Sequence, residues 1–398
     1  RKIMNLSLDY LADKFVFWNL NKISYGYLEL IDAKGCVYFF GNKESPLKAH
    51  IKINDPSFMV KLLRKGSAGL GESYIKNEFE TNDLPSLIEL SARNINVTYK
   101  FSGLIRVPFL QNILNKIIIT NTKERSKKNI SSHYDLGNEF FSVWLDKTLT
   151  YSCGIFNSID ETLEKAQVNK YNKLINLIKP KPGSKLLEIG CGWGGFAEEV
   201  GKNYDIKLDC ITISKKQFEF TKSRINRLGL NHKVNIKLLD YRDVKKKYNN
   251  IVSIEMIEAV GEKYLINYFK SIKENLVPGG RAAIQSIVID DNLYDRYRAK
   301  EDFIQKFIFP GGFLPSLKSL KNLSAKSGLV FGSQELYGEH YSNTLQKWRK
   351  SFLSSWEQIS RQGFNISFRN MWDFYLSYCE AGFKSKNIDL IQFSLCNK

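Results

Sequence analysis

Between Leu186 and Phe196 the chain reads LLEIGCGWGGF: a short apolar run carrying one acid, then four glycines in six positions. An apolar run that breaks into glycine ends a strand and lets the backbone approach a ligand or a neighbouring helix closely. From Lys185 onward, runs of strand length alternate with helical patterns. KLLEIG, KLDCITIS, VNIKLLD, NIVSIEM and RAAIQSIVI are separated by segments such as KKQFEFTKSRINRLG and KYLINYFKSIKENL. Such alternation implies β-α-β units and a mostly parallel sheet with both faces covered. LVFGSQELYG and IDLIQFSL add two late strand-like segments. The expected fold is therefore α/β, a doubly wound, mostly parallel seven-stranded sheet of the Rossmann-like kind, with its ligand at the carboxyl ends of the strands.

Ahead of this sheet, residues 1–106 read as a smaller α+β domain. YGYLELID and GCVYFFG form a hairpin around Ala33-Lys34-Gly35, and AHIKIND supplies a third strand. PSFMVKLLRKG and PSLIELSARN are short helical patterns, and SAGLGESYIKNEF reads as a bend between them, punctuated by Gly66, Gly69 and Gly71. Residues 107–132 read as a linker. In it VPFLQNILNKIII places Phe109, Leu110, Ile113, Leu114, Ile117 and Ile118 on one helical face, ahead of the basic run NTKERSKKNISS. Such a helix beside positive charge suits a membrane surface, or packs on its own protein. Residues 133–398 form the larger domain.

Lys and Arg outnumber Asp and Glu by 59 to 41, a net charge of +18. That balance attracts polyanions, either nucleic acid or an anionic membrane. No RNP signature, zinc-finger pattern or Arg-rich arm supports nucleic acid. No apolar run approaches the roughly 20 residues of a membrane-spanning helix, and RKIMNLSLDY lacks the apolar core of a secretory signal. The six cysteines form no CxxC and only four histidines accompany them, so no metal site is expected and a reducing compartment fits. The expected location is the cytoplasm, peripherally at the inner face of the membrane.

Gly190, Gly192 and Gly195 satisfy G-x-G-x-x-G, which alone fits a dinucleotide. Three neighbours favour S-adenosylmethionine instead. The Glu188 carboxylate can orient an ammonium and would repel a pyrophosphate. Tyr151 and Trp193 offer aromatic faces to a sulfonium. Asp240 in LLDYRD can accept from an adenine amino group while Tyr241 flanks the ring. Asp209 falls near the position of a ribose-binding acid, but inside its strand rather than at the end.

The motifs HYDLGNEFF (133–141), LTYSC (149–153), LLEIGCGWGGF, ITISKKQ (211–217), DYRDV (240–244), SIEMIEAVGEKY (253–264), FIFPGGFLPS (307–316) and GEHYSNTL (338–345), in this order, resemble the cyclopropane-fatty-acyl-phospholipid synthases. The similarity covers about 130–396, with a weaker likeness in 20–95. It implies a class I methyltransferase fold and methyl transfer from S-adenosylmethionine to a cis double bond of a phospholipid acyl chain at an anionic membrane surface. By this resemblance Tyr151, Ser152, Gly190, Gly192, Thr212, Gln217, Tyr241 and Arg242 line the cofactor. A bicarbonate base is held by Cys153 (chiefly through its backbone), Glu258, the Ile287 backbone and Tyr341. The family also implies a homodimer.

Two positions depart from the common pattern: Ala259 and Gln285 stand where many members have histidine. Glutamine donates a hydrogen bond but takes up no proton. The EMIEAVG and AIQSI combination is more similar to a branch that includes enzymes making methylene- or methyl-branched chains, the latter with a reductase partner.

An alkene is a poor nucleophile, so positioning against the sulfonium must supply much of the catalysis, about 7–11 kcal/mol in favourable cases. The resulting cation sits in an apolar tunnel, for which Tyr294, Tyr297, Phe303, Phe307, Phe309 and Phe313 are candidate walls. Loss of a proton from the new methyl closes a cyclopropane; a hydride shift first leaves an exocyclic methylene. Bicarbonate beside Glu258 crowds two anions, which implies a protonated Glu258. Cys153 has no dedicated histidine partner and is not expected to act as a nucleophile. From another class, a non-catalytic lipid-binding protein remains open, and last a nicotinamide oxidoreductase.

Overall fold

A computed structural model describes residues 2–101, 136–158 and 160–398, with side chains over 8–100, 136–158 and 160–398. The 109–118 helical pattern, the basic run 121–132 and the first three residues of HYDLGNEFF lie outside the described residues. The chain divides into two compact units. One comprises Ile119–Asp295, Phe309–Ser355 and Ile388–Lys398; the other comprises Arg1–Ile118, Arg296–Ile308 and Trp356–Asn387.

The larger unit is built on a seven-stranded sheet. Its strands are β5 (Lys185–Ile189), β6 (Lys207–Thr212), β7 (Val234–Leu238), β8 (Tyr248–Ile254), β9 (Leu276–Ile289), β10 (Val330–Leu336) and β11 (Ile388–Cys396), in the order β10-β11-β9-β8-β5-β6-β7. The five strands β7, β6, β5, β8 and β9 are mutually parallel; β11 runs antiparallel to β9, and β10 antiparallel to β11. The strand order reverses at β5, which lies between β6 and β8 and so sets the switch point. Leu186, Leu208, Cys210, Val252 and Ala283 face one core together with Leu174 and Ile178 of helix Leu163–Ile178, Phe196 and Val200 of helix Gly195–Asn203, and Ile225 of helix Lys215–Arg227. Burial on both faces explains why these strands read as unbroken apolar runs.

The smaller unit holds the sheet β2-β1-β3-β4, made of β1 (Tyr27–Ile31), β2 (Val37–Gly41), β3 (Lys48–Ile53) and β4 (Phe79–Glu80). β1 and β2 form the expected hairpin, and β3 joins β1 in parallel. Helix Lys2–Leu20 contributes Ala12, Val16 and Leu20 to the core. The stretch read as a bend is in fact helix Ser67–Ile75. Its glycines serve close approach rather than turning. A Cβ at Gly69 would lie 2.6 Å from the Lys61 carbonyl, and one at Gly71 would lie 2.2 Å from the Phe303 ring. Helix Ile366–Lys384 packs on this helix and on Leu84–Arg93, where Asp83 caps the first turn. The Tyr74 hydroxyl donates to Asp373 at 2.8 Å, and Asn387 donates to the Ala92 carbonyl at 2.9 Å.

Candidate active site

After β5 the backbone is left-handed at Gly190 (φ +83°), Gly192 (+52°) and Gly194 (+84°), a path that favours glycine. A Cβ on Gly194 would lie 2.6 Å from Thr221, and one on Gly195 2.5 Å from the Tyr171 hydroxyl, whereas one on Gly192 would meet nothing within 4 Å. Packing therefore explains two glycines, and Gly192 is where a ligand can reach the backbone. The loop is pinned by helix Lys215–Arg227. Thr221 donates to the Gly192 carbonyl at 3.0 Å. Arg224 donates to the Trp193 carbonyl at 3.0 Å and the Thr148 carbonyl at 2.8 Å while it pairs with Glu198 at 2.6 Å.

Other residues expected at the cofactor stand at the same strand ends. Thr212 closes β6 and donates to Gln217 Oε1 at 3.0 Å, in the helix that Ser214 caps. Asp240 is engaged by its neighbour: Oδ1 accepts from the Arg242 backbone N–H and Nε at 2.9 and 2.8 Å, and Oδ2 from Nη2 at 2.7 Å. The guanidinium lies 5.5 Å from the Tyr241 ring, whose centroid is 5.5 Å from that of Tyr268. Burial pushes the Tyr241 hydroxyl up to about 12. Tyr151 packs its ring 5.3 Å from Phe141 and 5.2 Å from Trp348, and Trp193 lies 4.9 Å from Phe141 with its N–H donated to Asn138 at 2.8 Å. Asp209, the residue a dinucleotide would need, is instead held inside β6 by Lys237, Asn235 and Tyr248 at 2.8–2.9 Å.

Glu188 is buried within β5, and its Oε2 accepts no hydrogen bond. Burial pushes this carboxyl up to about 7, against the pull of the Cys210 thiol and of Lys170. An orphaned buried carboxylate oxygen beside a glycine loop fits a cationic ligand such as the methionine ammonium of S-adenosylmethionine.

At the end of β8 lies a second cluster. Glu255 is left-handed at φ +49° although it carries a side chain, a conformation that persists only where its surroundings enforce it. Its Oε1 accepts from the Cys153 backbone N–H at 2.9 Å and Gln285 Nε2 at 2.8 Å, and its Oε2 from the Tyr341 hydroxyl at 2.5 Å. Gln285 is oriented by its cross-strand partner Gln392, whose Nε2 donates to Gln285 Oε1 at 2.8 Å. The Ile287 N–H donates to Glu258 Oε1 at 2.5 Å, while Glu258 Oε2 is buried without a partner. Burial first, then the Glu255 charge, push Glu258 up to about 8. Burial also raises Glu255, which Lys170, Tyr341, Cys153 and Gln285 draw back down.

These contacts revise the expected bicarbonate site. The three donors that the family resemblance gave to bicarbonate, from Cys153, Tyr341 and Ile287, all end on glutamates of this chain, as does that of Gln285, which stands where the family has histidine. The residues present do not fit a bicarbonate on those donors, because Glu255 already takes those of Cys153 and Tyr341 and Glu258 that of Ile287. The Cys153 thiol is buried, pushed well above its usual range and bonded to the Gly154 carbonyl at 3.1 Å, consistent with a backbone role only.

The six aromatic residues considered for the acyl tunnel separate. Phe303 and Phe307 pack together at 5.1 Å, and Phe303 lies 4.5 Å from Phe374 in the smaller unit's core; Tyr297 accepts from Gln305 there. Tyr294 and Phe313 lie 6.0 Å apart in the larger unit, and the Phe313 N–H donates to the Glu258 carbonyl at 2.8 Å. The Phe309 carbonyl, also in the larger unit, accepts from the Gly312 N–H at 2.9 Å.

A family model described as mycolic acid cyclopropane synthetase matches residues 121–393. The chain belongs to this family. It is 32% identical to the tuberculostearic acid methyltransferase UfaA1 of Mycobacterium tuberculosis, covering 88% of this chain and 84% of that one. It is likewise 32% identical to the cyclopropane-fatty-acyl-phospholipid synthase of Escherichia coli, covering 86% and 87%. The solved structure of the cyclopropane synthase MmaA2 from Mycobacterium tuberculosis superposes with a TM-score of 0.64 at 27% identity, over 68% of this chain and 98% of that one. The mycolic acid cyclopropane synthase CmaA1, solved in complex with SAH and CTAB, gives 0.64 at 26% over the same shares. Like its relatives in the cyclopropane synthase family, this chain is an S-adenosylmethionine-dependent methyltransferase with the class I fold.

Reading the sequence missed Glu255, Gln392 and Lys170. The first signal was present in EMIE, two glutamates three residues apart at a strand end, of which only the second was taken. Among the described residues no helix is long and apolar enough to cross a membrane, and no group of three or more His, Cys, Asp or Glu could hold a metal.

Proposed function

We propose that this methyltransferase delivers the methyl group of S-adenosylmethionine to the cis double bond of an unsaturated acyl chain of a membrane phospholipid, with Glu255 as the base. The observation that supports Glu255 is the convergence of Cys153 N–H, Gln285 Nε2 and Tyr341 OH on its carboxylate. Three donors orient the carboxylate before substrate arrives, which is how a general base is made effective. Cofactor holding falls to Tyr151, Ser152, Gly190, Gly192, Thr212, Gln217 and Tyr241, with Glu188 at the ammonium.

In the reaction the S–CH3 bond breaks as the alkene π pair forms the new C–C bond, leaving a cation on the adjacent carbon and neutral S-adenosylhomocysteine. Glu255 then accepts a proton from the new methyl, and the freed C–H pair closes the cyclopropane. A methylene branch is the second reading. It loses its proton from the same methyl after a hydride shift, so a base that reacts more slowly favours it. Gln285 in place of histidine, a side chain that takes up no proton, is the feature that favours this reading.

The deciding experiment incubates purified protein with unsaturated phospholipid vesicles and S-adenosylmethionine, with bicarbonate removed or added, and analyses the acyl chains by gas chromatography and mass spectrometry. Methylated chains are expected at the same rate in both conditions, with Glu255→Gln slower by roughly 10²–10⁴-fold. Strict dependence on bicarbonate, or a fully active Glu255→Gln, overturns the assignment of the base. The positive charge of +18 further supports peripheral binding to anionic lipid, so vesicle sedimentation should weaken as salt rises.

A further inference from the structure

Helix Leu163–Ile178 lays an apolar stripe on the sheet through Ala166, Tyr171, Leu174, Ile175 and Ile178, but two of its buried positions are polar, Gln167 and Lys170. Lys170 is completely buried, where an ammonium persists only if it meets acceptors and opposite charge. Its Nζ donates to Ser152 Oγ at 2.6 Å and to Gln167 Oε1 at 2.6 Å, and lies 4.7 Å from the Tyr171 ring centroid. Gln167 Nε2 in turn donates to the Ser152 carbonyl at 2.9 Å. One helix thus grips both the side chain and the backbone of Ser152, the residue before the Cys153 N–H that donates to Glu255.

The charges around these groups are one-sided. Lys170 faces Glu255, Cys153, Asp146 and Glu188. Glu255 is faced by Tyr341 from helix Gly338–Ser354, Cys153 from its loop, Glu258 from the turn after β8, and Lys170. Among these groups Lys170 is the cation. Burial draws Lys170 down to about 8, against the upward pull of the four acids, and its charge holds the Glu255 carboxyl toward its ionised form.

We propose that Lys170 is a positioning residue for methyl transfer, fixing the Ser152–Cys153 turn against Glu255 and supplying the buried positive charge that faces this carboxylate. The proposal rests on Glu255 being the base, since only an ionised carboxylate can accept the proton.

The test is the pH profile of kcat for the wild type, Lys170→Met, Lys170→Gln and Glu255→Gln, with the melting temperature of each. Both lysine variants should move the acid limb upward by roughly 1–3 pH units, the usual effect of removing a nearby opposite charge. Their activity should therefore fall on the acid side of the profile and be partly regained at higher pH. Folded variants that lose activity equally at every pH, with the acid limb unmoved, overturn the proposal. If neither variant folds, the infrared carboxyl band that Glu255→Gln removes decides. A carboxylate at pH 7 in the wild type supports the proposal, and a protonated carboxyl there overturns it. Failure of the underlying reading looks different: Glu255→Gln then stays active and keeps the wild-type acid limb.

Discussion

Near the end of β5, Glu188 holds one carboxylate oxygen that accepts nothing, and Gly192 leaves open space where a side chain would be. On the neighbouring strand, at the end of β8, Glu255 has a donor on each oxygen and two on one of them. Glu188 is buried and Glu255 half-buried. A buried polar atom without a partner is destabilising unless something arrives to satisfy it, so the β5 side has the character of a binding site. The β8 side has its orientation set in advance, as catalytic groups do. On the proposed reading, binding and proton transfer fall to separate carboxylates at the ends of adjacent parallel strands.

That division can be broken by substitution. Tyr341→Phe removes the hydroxyl that donates to Glu255 and should lower kcat roughly 10–100-fold, the worth of about 1.5–3 kcal/mol for a hydrogen bond to a charged group. The acid limb should rise because the lost donor favoured the ionised form, while S-adenosylmethionine affinity, measured by calorimetry, stays as it was. If affinity falls in step with kcat, the two sides are not separate.

Glu188→Gln should do the reverse, weakening S-adenosylmethionine binding roughly tenfold, about 1.4 kcal/mol, with kcat at saturation near wild type. Because burial holds Glu188 at about 7 without ligand and an ammonium favours the ionised form, wild-type affinity should rise as pH passes from 6 to 8, with proton release on binding. The glutamine variant should show neither effect. The same shift acts on stability with the opposite sign. A carboxyl raised from 4.5 to about 7 binds its proton more tightly when folded, so the ligand-free protein loses stability as pH rises through that window. Melting curves across the window check this.

The smallest effect belongs to Glu258→Gln. Pushed up to about 8, Glu258 is a neutral acid at pH 7, and an amide oxygen can still accept from the Ile287 N–H. Activity at pH 7 should change by a few-fold at most. A collapse as deep as that of Glu255→Gln would make Glu258 the second essential carboxyl.

Much of the larger unit was legible because parallel strands buried on both faces leave continuous apolar runs, and because a glycine loop after the first of them has few physical uses. The strand-end positions expected for the cofactor were legible for the same reason, since Gly190, Gly192 and Thr212 stand where strands end and Gln217 opens the helix after β6. The carboxylate we propose as base was not. Whether Glu255 or Glu258 turns toward Cys153 depends on a left-handed backbone at one residue, which no spacing reveals, and the family resemblance filled that place with bicarbonate. Lys170 was readable in principle as a lysine inside an apolar helical stripe. In the smaller unit, the glycines of Ser67–Ile75 read as a bend because sequence does not record the Phe303 ring that one of them accommodates.

That ring carries a consequence for synthesis. Phe303 and helix Ile366–Lys384 complete the smaller unit's core, and β11, the last strand, enters the sheet between β9 and β10. A chain leaving the ribosome amino end first therefore holds both cores unfinished until β11 emerges. A ribosome stalled at residue 360 should expose a chain that proteases cut in both units.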